Sequence, residues 1–169
     1  HADAIFTHDP ALVTDAGAVV LRMGKAGRRG EEAAIAATLE ALGVPILAEL
    51  GGAATAEGGD LLWLDHDTLA VGRGYRTNAE GLRQLAAALR PIGVETVEVQ
   101  LPHGDGPESC LHLMSFISML DRDLAVVFPP LVPVPLMELL ADRGIALVEV
   151  PAEEYPTMGP NVLALAPRR

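Results

Sequence analysis

The chain has 169 residues, of which 50% are hydrophobic and 21% are charged, and its formal net charge is −11. This length and composition are typical of one globular domain with a sizeable core. The acidic balance argues against nucleic acid or an anionic membrane surface as a partner. A single cysteine excludes an internal disulfide and a multi-cysteine metal site, so we expect a reducing, cytoplasmic setting.

One sequence plan recurs with a period of about 50 residues. Each copy has two short apolar runs around an Asp-rich turn, then an alanine- or leucine-rich helical stretch, a glycine and a strand-like apolar run. Unit 1 has predicted strands at 5–13 and 18–23, a helix at 31–42 and a strand at 44–50. Unit 2 has strands at 60–64 and 68–72, a helix at 78–92 and a strand at 94–101. Unit 3 has strands at 110–120 and 124–128, a helix at 134–142 and a strand at 145–150.

The glycines that end the three predicted helices are regularly spaced. They are Gly43, Gly93 and Gly144, at the position where a left-handed backbone usually terminates a helix. The spacing indicates strand–strand–helix–strand units over residues 3–50, 59–102 and 109–151. Since one such unit cannot bury its own apolar face, the units must pack on each other.

A further unit is expected to begin at 160–169 with the strand-like run NVLALAPRR. An incomplete unit would leave a strand edge exposed, which proteins usually avoid. We therefore expect a chain truncated at both ends; the alternative is that this last strand completes a sheet. The prediction is one partial α/β domain over residues 1–169, with about three and a fraction units.

Polar residues fall at matching places, near the ends of the first strand of each unit. These are Asp3, His8 and Asp9 in unit 1, Asp60 in unit 2 and His112 in unit 3. If they converge, they form a carboxylate-rich cleft suited to a cation. The alternative for His112 is a buried histidine with satisfied ring nitrogens.

Two arginines, Arg28 and Arg76, precede the helices of units 1 and 2. Loops between strand and helix often carry substrate-binding groups, and arginine binds a carboxylate through two parallel hydrogen bonds. The alternative is that both arginines are solvated. A pocket for a cation, together with two arginines, would suit a small amino-acid substrate that has a cationic group and a carboxylate.

Five short motifs, in this order and spacing, resemble one superfamily. They are ADAIFTHD at 2–9, GRRGE at 27–31, EGGD at 57–60, RTN at 76–78 and LHLMSF at 111–116. The sequence resembles the guanidino-group-modifying enzymes, or penteins, especially the dimethylarginine dimethylaminohydrolase and arginine deiminase families. The resemblance implies a five-unit α/β propeller and hydrolysis of the guanidinium of arginine or methylated arginine, without metal or organic cofactor.

The resemblance also implies residue roles. His112 would be the catalytic histidine and Asp60 would orient it or hold the guanidinium. Asp9 and His8 would contact the guanidinium, Asp3 would line the site, and Arg28 and Arg76 would bind the carboxylate. The family nucleophile is a cysteine near the C-terminus, beyond residue 169. Cys110 is therefore interpreted as a small buried packing residue, and the isolated chain is predicted to be inactive.

Alternatives remain at this point. An amidinotransferase of the same superfamily resolves the covalent intermediate with an amine instead of water. A non-catalytic pentein would serve as a binding module. A third alternative is an enzyme-like fold whose chemistry has been lost.

Overall fold

The computed structural model describes residues 2–169, so His1 of the predicted domain lies outside the described residues. Unit 1 contains β1 (Ala11–Thr14), β2 (Gly17–Val20), α1 (Glu31–Ala41) and β3 (Ile46–Glu49). Unit 2 contains β4 (Leu61–Trp63), β5 (Thr68–Arg73), α2 (Ala79–Leu89) and β6 (Glu95–Gln100). Unit 3 contains β7 (Ile117–Asp121), β8 (Leu124–Val127), α3 (Val134–Asp142) and β9 (Ala146–Glu149). The repeated strand–strand–helix–strand plan is confirmed.

Each unit forms its own three-stranded sheet with the second strand in the middle. The first two strands make an antiparallel hairpin, and the helix crosses over to bring the third strand in parallel to the second. A parallel partner needs such a crossover because a tight turn can only join antiparallel strands. In unit 2 the parallel register runs from Thr68 opposite Glu95 to Arg73 opposite Gln100.

The helix ends agree with the sequence prediction. Gly43, Gly93 and Gly144 have φ values of 78°, 83° and 67°, in the left-handed region that favours glycine. At the other end of α2, the Asn78 side chain accepts a hydrogen bond from the Gly81 amide at 2.8 Å and caps the helix.

The sheet of unit 2 is buried on both faces, which joins the three units. Leu69 and Val71 face a core shared with unit 1 and α2, whereas Ala70 between them faces a core shared with unit 3 and α3. This alternation follows from the two-residue period of a strand. Across residues 2–169, no helix combines the length and apolar character needed to cross a bilayer.

The predicted first strand of unit 1 is wrong in its N-terminal half. Ala2–Ile5 form a short 3₁₀ helix, and the strand begins only at Ala11. The Phe6 amide donates to the Asp3 carbonyl at 3.0 Å and the Asp9 amide to the Phe6 carbonyl at 3.2 Å, which closes tight turns. Pro10 lacks an N–H for a strand ladder. Asp3 and Asp9 therefore bracket a coiled segment, not a strand.

The predicted strand at 110–120 is also wrong in its first half. His112 precedes a 3₁₀ helix, Leu113–Ser115, and β7 begins at Ile117. The His112 amide donates to Ser115 Oγ at 3.0 Å, and the Ser115 amide donates to the His112 carbonyl at 3.0 Å. These reciprocal bonds form a closed turn, so Cys110 and His112 do not lie on a strand.

The strand predicted in residues 160–169 is not formed. The segment lies beside β7, where the Arg168 amide donates to the Leu120 carbonyl at 2.9 Å and Ser118 Oγ donates to the Pro160 carbonyl at 2.8 Å. Proline at 160 and 167 removes two backbone donors that a ladder would use.

Candidate active site

His112 lies between two buried carboxylates contributed by unit 2. Its Nδ1 is 3.0 Å from Asp60 Oδ1 and its Nε2 is 3.4 Å from Glu57 Oε2. Glu57 precedes the short 3₁₀ helix Gly58–Asp60 that leads into β4, and Asp60 is the last residue of that helix. Because the Asp60 carboxylate accepts a hydrogen bond from Nδ1–H, the orientation of the ring is set. Nε2 is then the ring nitrogen that faces Glu57.

Asp60 is fully buried and accepts three hydrogen bonds. Oδ1 accepts from His112 Nδ1 and from the Leu113 amide at 3.1 Å, and Oδ2 accepts from Thr77 Oγ1 at 2.7 Å. A buried carboxylate needs such donors to offset lost hydration. Asp60 is thus a rigid acceptor that orients the imidazole.

The surroundings of His112 favour the imidazolium. Burial lowers its pKa, but hydrogen bonds with Asp60, Cys110 and Glu57 outweigh this effect and raise the pKa of His112 to about 12. Both ring nitrogens are therefore protonated at neutral pH, and the ring is positively charged. It is placed to act as a proton donor.

Glu57 is a site residue that the sequence reasoning missed. Its side chain is 1% exposed, and Oε1 accepts the Lys25 amide at 2.8 Å. Burial raises its pKa, but the contacts with His112, the Lys25 amide and Arg76 lower it overall, which keeps the carboxylate charged. The signal was present, since Glu57 opens the EGGD motif from which only Asp60 had been selected.

The two glycines of this motif allow unit 2 to pack closely against the backbone of unit 1 and the His112 side chain of unit 3. A Cβ on Gly59 would lie 2.8 Å from His112 Cγ, and a Cβ on Gly58 would lie 2.1 Å from the His8 carbonyl oxygen. The Gly59 amide donates to Asp9 Oδ1 at 3.0 Å. Glycine is required here because any side chain would force the units apart.

Arg28 binds acidic groups of its own unit. Its Nη1 donates to Asp9 Oδ2 at 2.6 Å, its Nη2 donates to Glu31 Oε2 at 2.8 Å and to the Phe6 carbonyl at 3.1 Å, and its Nε also contacts Glu31. The residue is 4% exposed. These contacts hold Asp9 toward His112 and leave little of the guanidinium for a ligand.

Arg76 is placed differently. Its side chain is 10% exposed and its Nη1 lies 3.7 Å from Glu57 Oε1, beyond hydrogen-bond distance. Among residues 2–169 its guanidinium makes no hydrogen bond to a protein acceptor. A guanidinium whose N–H groups are not taken up by protein acceptors is suited to bind an anion.

The other predicted residues lie at the edge of this cluster. Asp3 Oδ2 pairs with Lys25 Nζ at 2.5 Å, and this hydrogen bond lowers the pKa of Asp3. His8 has an exposed side chain. Asp9, Asp60, Arg76 and His112 are thus brought together, whereas His8 is not drawn into the buried cluster.

The interpretation of Cys110 as a buried packing residue is wrong. Cys110 is exposed, and its proximity to His112 contributes to the raised pKa of the imidazole. Since the chain turns at His112 instead of continuing as a strand, the side chain of Cys110 is not directed into the core.

Three of these side chains lie close enough together to bind one cation. Asp9, Glu57 and His112 each offer one ligand atom, and these atoms lie within 4.8 Å of one another. However, Arg28 already contacts Asp9, and an imidazolium has no free lone pair for a metal ion. The donor set therefore fits a delocalised organic cation held by carboxylates better than a metal ion.

Cavity volume alone would place the active site elsewhere. A cavity of about 580 Å³ lies along α1, bordered by Arg29 and Glu32, but none of the predicted site residues lines it. Two of its charged residues are held by backbone groups: Glu32 accepts from the Met23 amide at 2.8 Å and Arg29 donates to the Met23 carbonyl at 3.3 Å. The chemistry, not the volume, identifies the candidate active site.

The chain is similar in sequence to known proteins. Residues 2–138 match the family described as Arginine deiminase. The N(G),N(G)-dimethylarginine dimethylaminohydrolase of Streptomyces coelicolor is 36% identical over 135 residues, covering 79% of this chain and 48% of the relative. The enzyme of the same name from Pseudomonas aeruginosa is 30% identical over 152 residues, covering 90% of this chain and 55% of the relative. The chain thus spans about half the length of these curated relatives.

A solved structure extends the comparison to three dimensions. A cysteine-to-serine variant of the Pseudomonas aeruginosa enzyme, complexed with citrulline, superimposes with a TM-score of 0.79 at 27% identity, covering 96% of this chain and 58% of that one. The fold is therefore the α/β propeller type of the penteins. Within that superfamily, the chain belongs to the arginine deiminase family.

Proposed function

We propose that the full-length protein is a cysteine-dependent hydrolase that converts arginine or an N-methylated arginine to citrulline and ammonia or an amine. The observation that carries this proposal is His112, held as an imidazolium between Asp60 and Glu57. Relatives that bear the dimethylarginine dimethylaminohydrolase name, one of them solved with citrulline, support the same class of reaction.

The guanidinium binds beside the carboxylates of the site. Asp9 and Glu57 hold its cationic nitrogens, and Asp3 lines the approach with its neighbour His8. Arg76, whose guanidinium makes no hydrogen bond to an acceptor among residues 2–169, binds the substrate carboxylate. We assign Arg28 to hold Asp9 in place, because its own guanidinium already contacts Asp9 and Glu31.

The reaction proceeds in two stages. A cysteine thiolate, which we place beyond residue 169, attacks the guanidinium carbon and forms a C–S bond. His112 protonates the departing nitrogen as the C–N bond breaks. In the second stage His112 takes a proton from water, the water oxygen bonds to the same carbon, and the C–S bond breaks to release citrulline and the thiolate.

An assay of the full-length protein tests this function. Arginine and dimethylarginine are incubated with it, with and without an amine acceptor, and citrulline is measured. We expect citrulline from at least one of the two substrates, and none from residues 1–169 alone. Transfer of the amidino group to the acceptor would indicate an amidinotransferase, and no turnover of either substrate would contradict the proposal.

The role of Cys110 has its own test. The thiol contributes to the raised pKa of His112, yet it lies on the same short segment as the proton donor and is poorly placed to attack the same carbon from the opposite side. We expect Cys110→Ser in the full-length protein to keep kcat within about threefold of the wild type, since serine is similar in size and also carries a donor and acceptor group. Loss of activity in a folded Cys110→Ser variant would make Cys110 the nucleophile.

A further inference from the structure

Thr77 follows Arg76 and is completely buried. Its hydroxyl makes two hydrogen bonds at once: it donates to Asp60 Oδ2 at 2.7 Å and accepts from the Glu57 amide at 3.2 Å. The two partners are the acids on either side of His112. Among residues 2–169, Thr77 makes no hydrogen bond with His112 itself.

These bonds close a ring of polar contacts. From the Glu57 amide the ring passes to Thr77, then to Asp60, then to His112 Nδ1, and from Nε2 back to the Glu57 side chain at 3.4 Å. Three members of the ring are titratable. Thr77 is the neutral member, and its single hydroxyl fixes both the side chain of one acid and the backbone of the other.

The segment that carries Thr77 is itself fixed. The Gly74 amide donates to the Thr77 carbonyl at 2.9 Å, and the Asn78 amide donates to the Thr55 carbonyl at 3.0 Å. A Cβ on Gly24 would lie 2.4 Å from the Arg76 carbonyl oxygen, so the backbone around Gly24 is packed directly against this segment. The hydroxyl is therefore presented from a rigid support.

We propose that Thr77 is a positioning residue that fixes Asp60 and Glu57, and through them holds His112 where the leaving nitrogen is protonated. This last step rests on the proposed function. The hydroxyl acts by orientation: without it, Asp60 Oδ2 and the buried Glu57 amide both lose a partner, and the carboxylate can rotate away from the ring.

Two substitutions separate the hydroxyl from the shape of the side chain. Thr77→Val keeps the volume and removes both hydrogen bonds, whereas Thr77→Ser keeps the hydroxyl and removes the buried methyl group. We expect Thr77→Val to lower kcat by about tenfold or more with KM nearly unchanged. Thr77→Ser retains kcat within about threefold, although it loses some stability. If activity instead follows the folded fraction in both variants, the role is merely structural and the proposal is wrong.

A second measurement is independent of catalysis. The protonation of His112 is followed by NMR of its ring nitrogens in the folded full-length protein. The groups that face the ring are Asp60, Glu57 and Cys110, with Asp9 and Arg76 next to them. We expect the imidazolium of His112 to become neutral at a lower pH in Thr77→Val than in wild type. Thr77→Ser is expected to match wild type.

The two measurements distinguish the proposals. If no guanidine is hydrolysed by any version of the protein, the proposed function fails, but the NMR comparison still decides whether Thr77 fixes the ring. Identical His112 titration in Thr77→Val and wild type would overturn the positioning role even if the enzyme were active.

Discussion

Replacing His112 with glutamine in the full-length protein is expected to lower kcat for citrulline formation by about 10²- to 10⁴-fold, the usual contribution of a positioned acid–base group. Glutamine can still donate a hydrogen bond to Asp60 but cannot deliver a proton to the leaving nitrogen. The measurement is steady-state citrulline release at saturating substrate, with Cys110→Ser as a control expected to remain active. Activity within tenfold of wild type would assign the proton donor to another group.

The same variant tests the charge of His112 through stability. The pKa of His112 is raised from 6.5 to about 12 in the folded protein, so its stabilisation is fully present below pH 6.5 and is lost as pH rises toward 12. Between pH 7 and 10, we expect the advantage of wild type over His112→Gln in free energy of unfolding to shrink by up to about 1.4 kcal/mol per pH unit. Urea denaturation at three pH values measures it. Parallel pH profiles for the two proteins would show that the ring is not charged.

Replacing Arg28 with methionine is expected to destabilise the protein by about 3–5 kcal/mol. Methionine fills a similar volume but leaves the carboxylates of Asp9 and Glu31 without their shared cation in a site where Arg28 is 4% exposed. Breaking a buried ion pair is costly because the remaining charge stays uncompensated. The free energy of unfolding, measured by urea denaturation at neutral pH, gives the effect.

The adjacent arginine provides a matched control. Arg29 is exposed and its side chain makes one hydrogen bond among residues 2–169, to the Met23 carbonyl, so Arg29→Met is expected to change stability by less than about 1 kcal/mol. Arg28→Lys retains the charge but cannot span both carboxylates and the Phe6 carbonyl, and it should fall between the two. Equal effects of Arg28→Met and Arg29→Met would contradict the buried ion-pair network.

The repeat and its helices could be predicted because they depend on local patterns. The helix prediction for unit 3, residues 134–142, coincides with α3, and the three helix-ending glycines have the expected left-handed backbone. Apolar periodicity and a terminating glycine are encoded within a dozen residues. No distant contact was needed to read them.

The wrong strands show where local patterns fail. The run at 110–120 is apolar enough to suggest a strand, yet the Leu113 amide donates to Asp60, 53 residues away, and the chain turns at His112. The run at 5–9 begins with two apolar residues, but Ile5 and Phe6 are mostly exposed. Partners that are distant in sequence decide these conformations, and a pattern of adjacent residues does not contain them.

For the same reason, only part of the candidate site could be predicted from the sequence. Asp9, Asp60, Arg76 and His112 were selected by position and resemblance, and the structure brings them together. Glu57 and Thr77 were missed because their importance is a matter of contact: one meets His112 Nε2 and the other joins two acids. The role of Arg28 also depends on Asp9 lying 2.6 Å away, which no spacing in the sequence implies.

The glycine pair at 58–59 places the backbones of neighbouring units in direct contact at the site. The Gly59 amide bonds to Asp9 of unit 1, and the Leu113 amide of unit 3 bonds to Asp60 of unit 2. The candidate machinery therefore belongs to no single unit, and its atoms are in place only while the units are docked. Separation of the units and loss of proton-transfer geometry are one event, so the cooperativity of the fold also sets how often the site is intact.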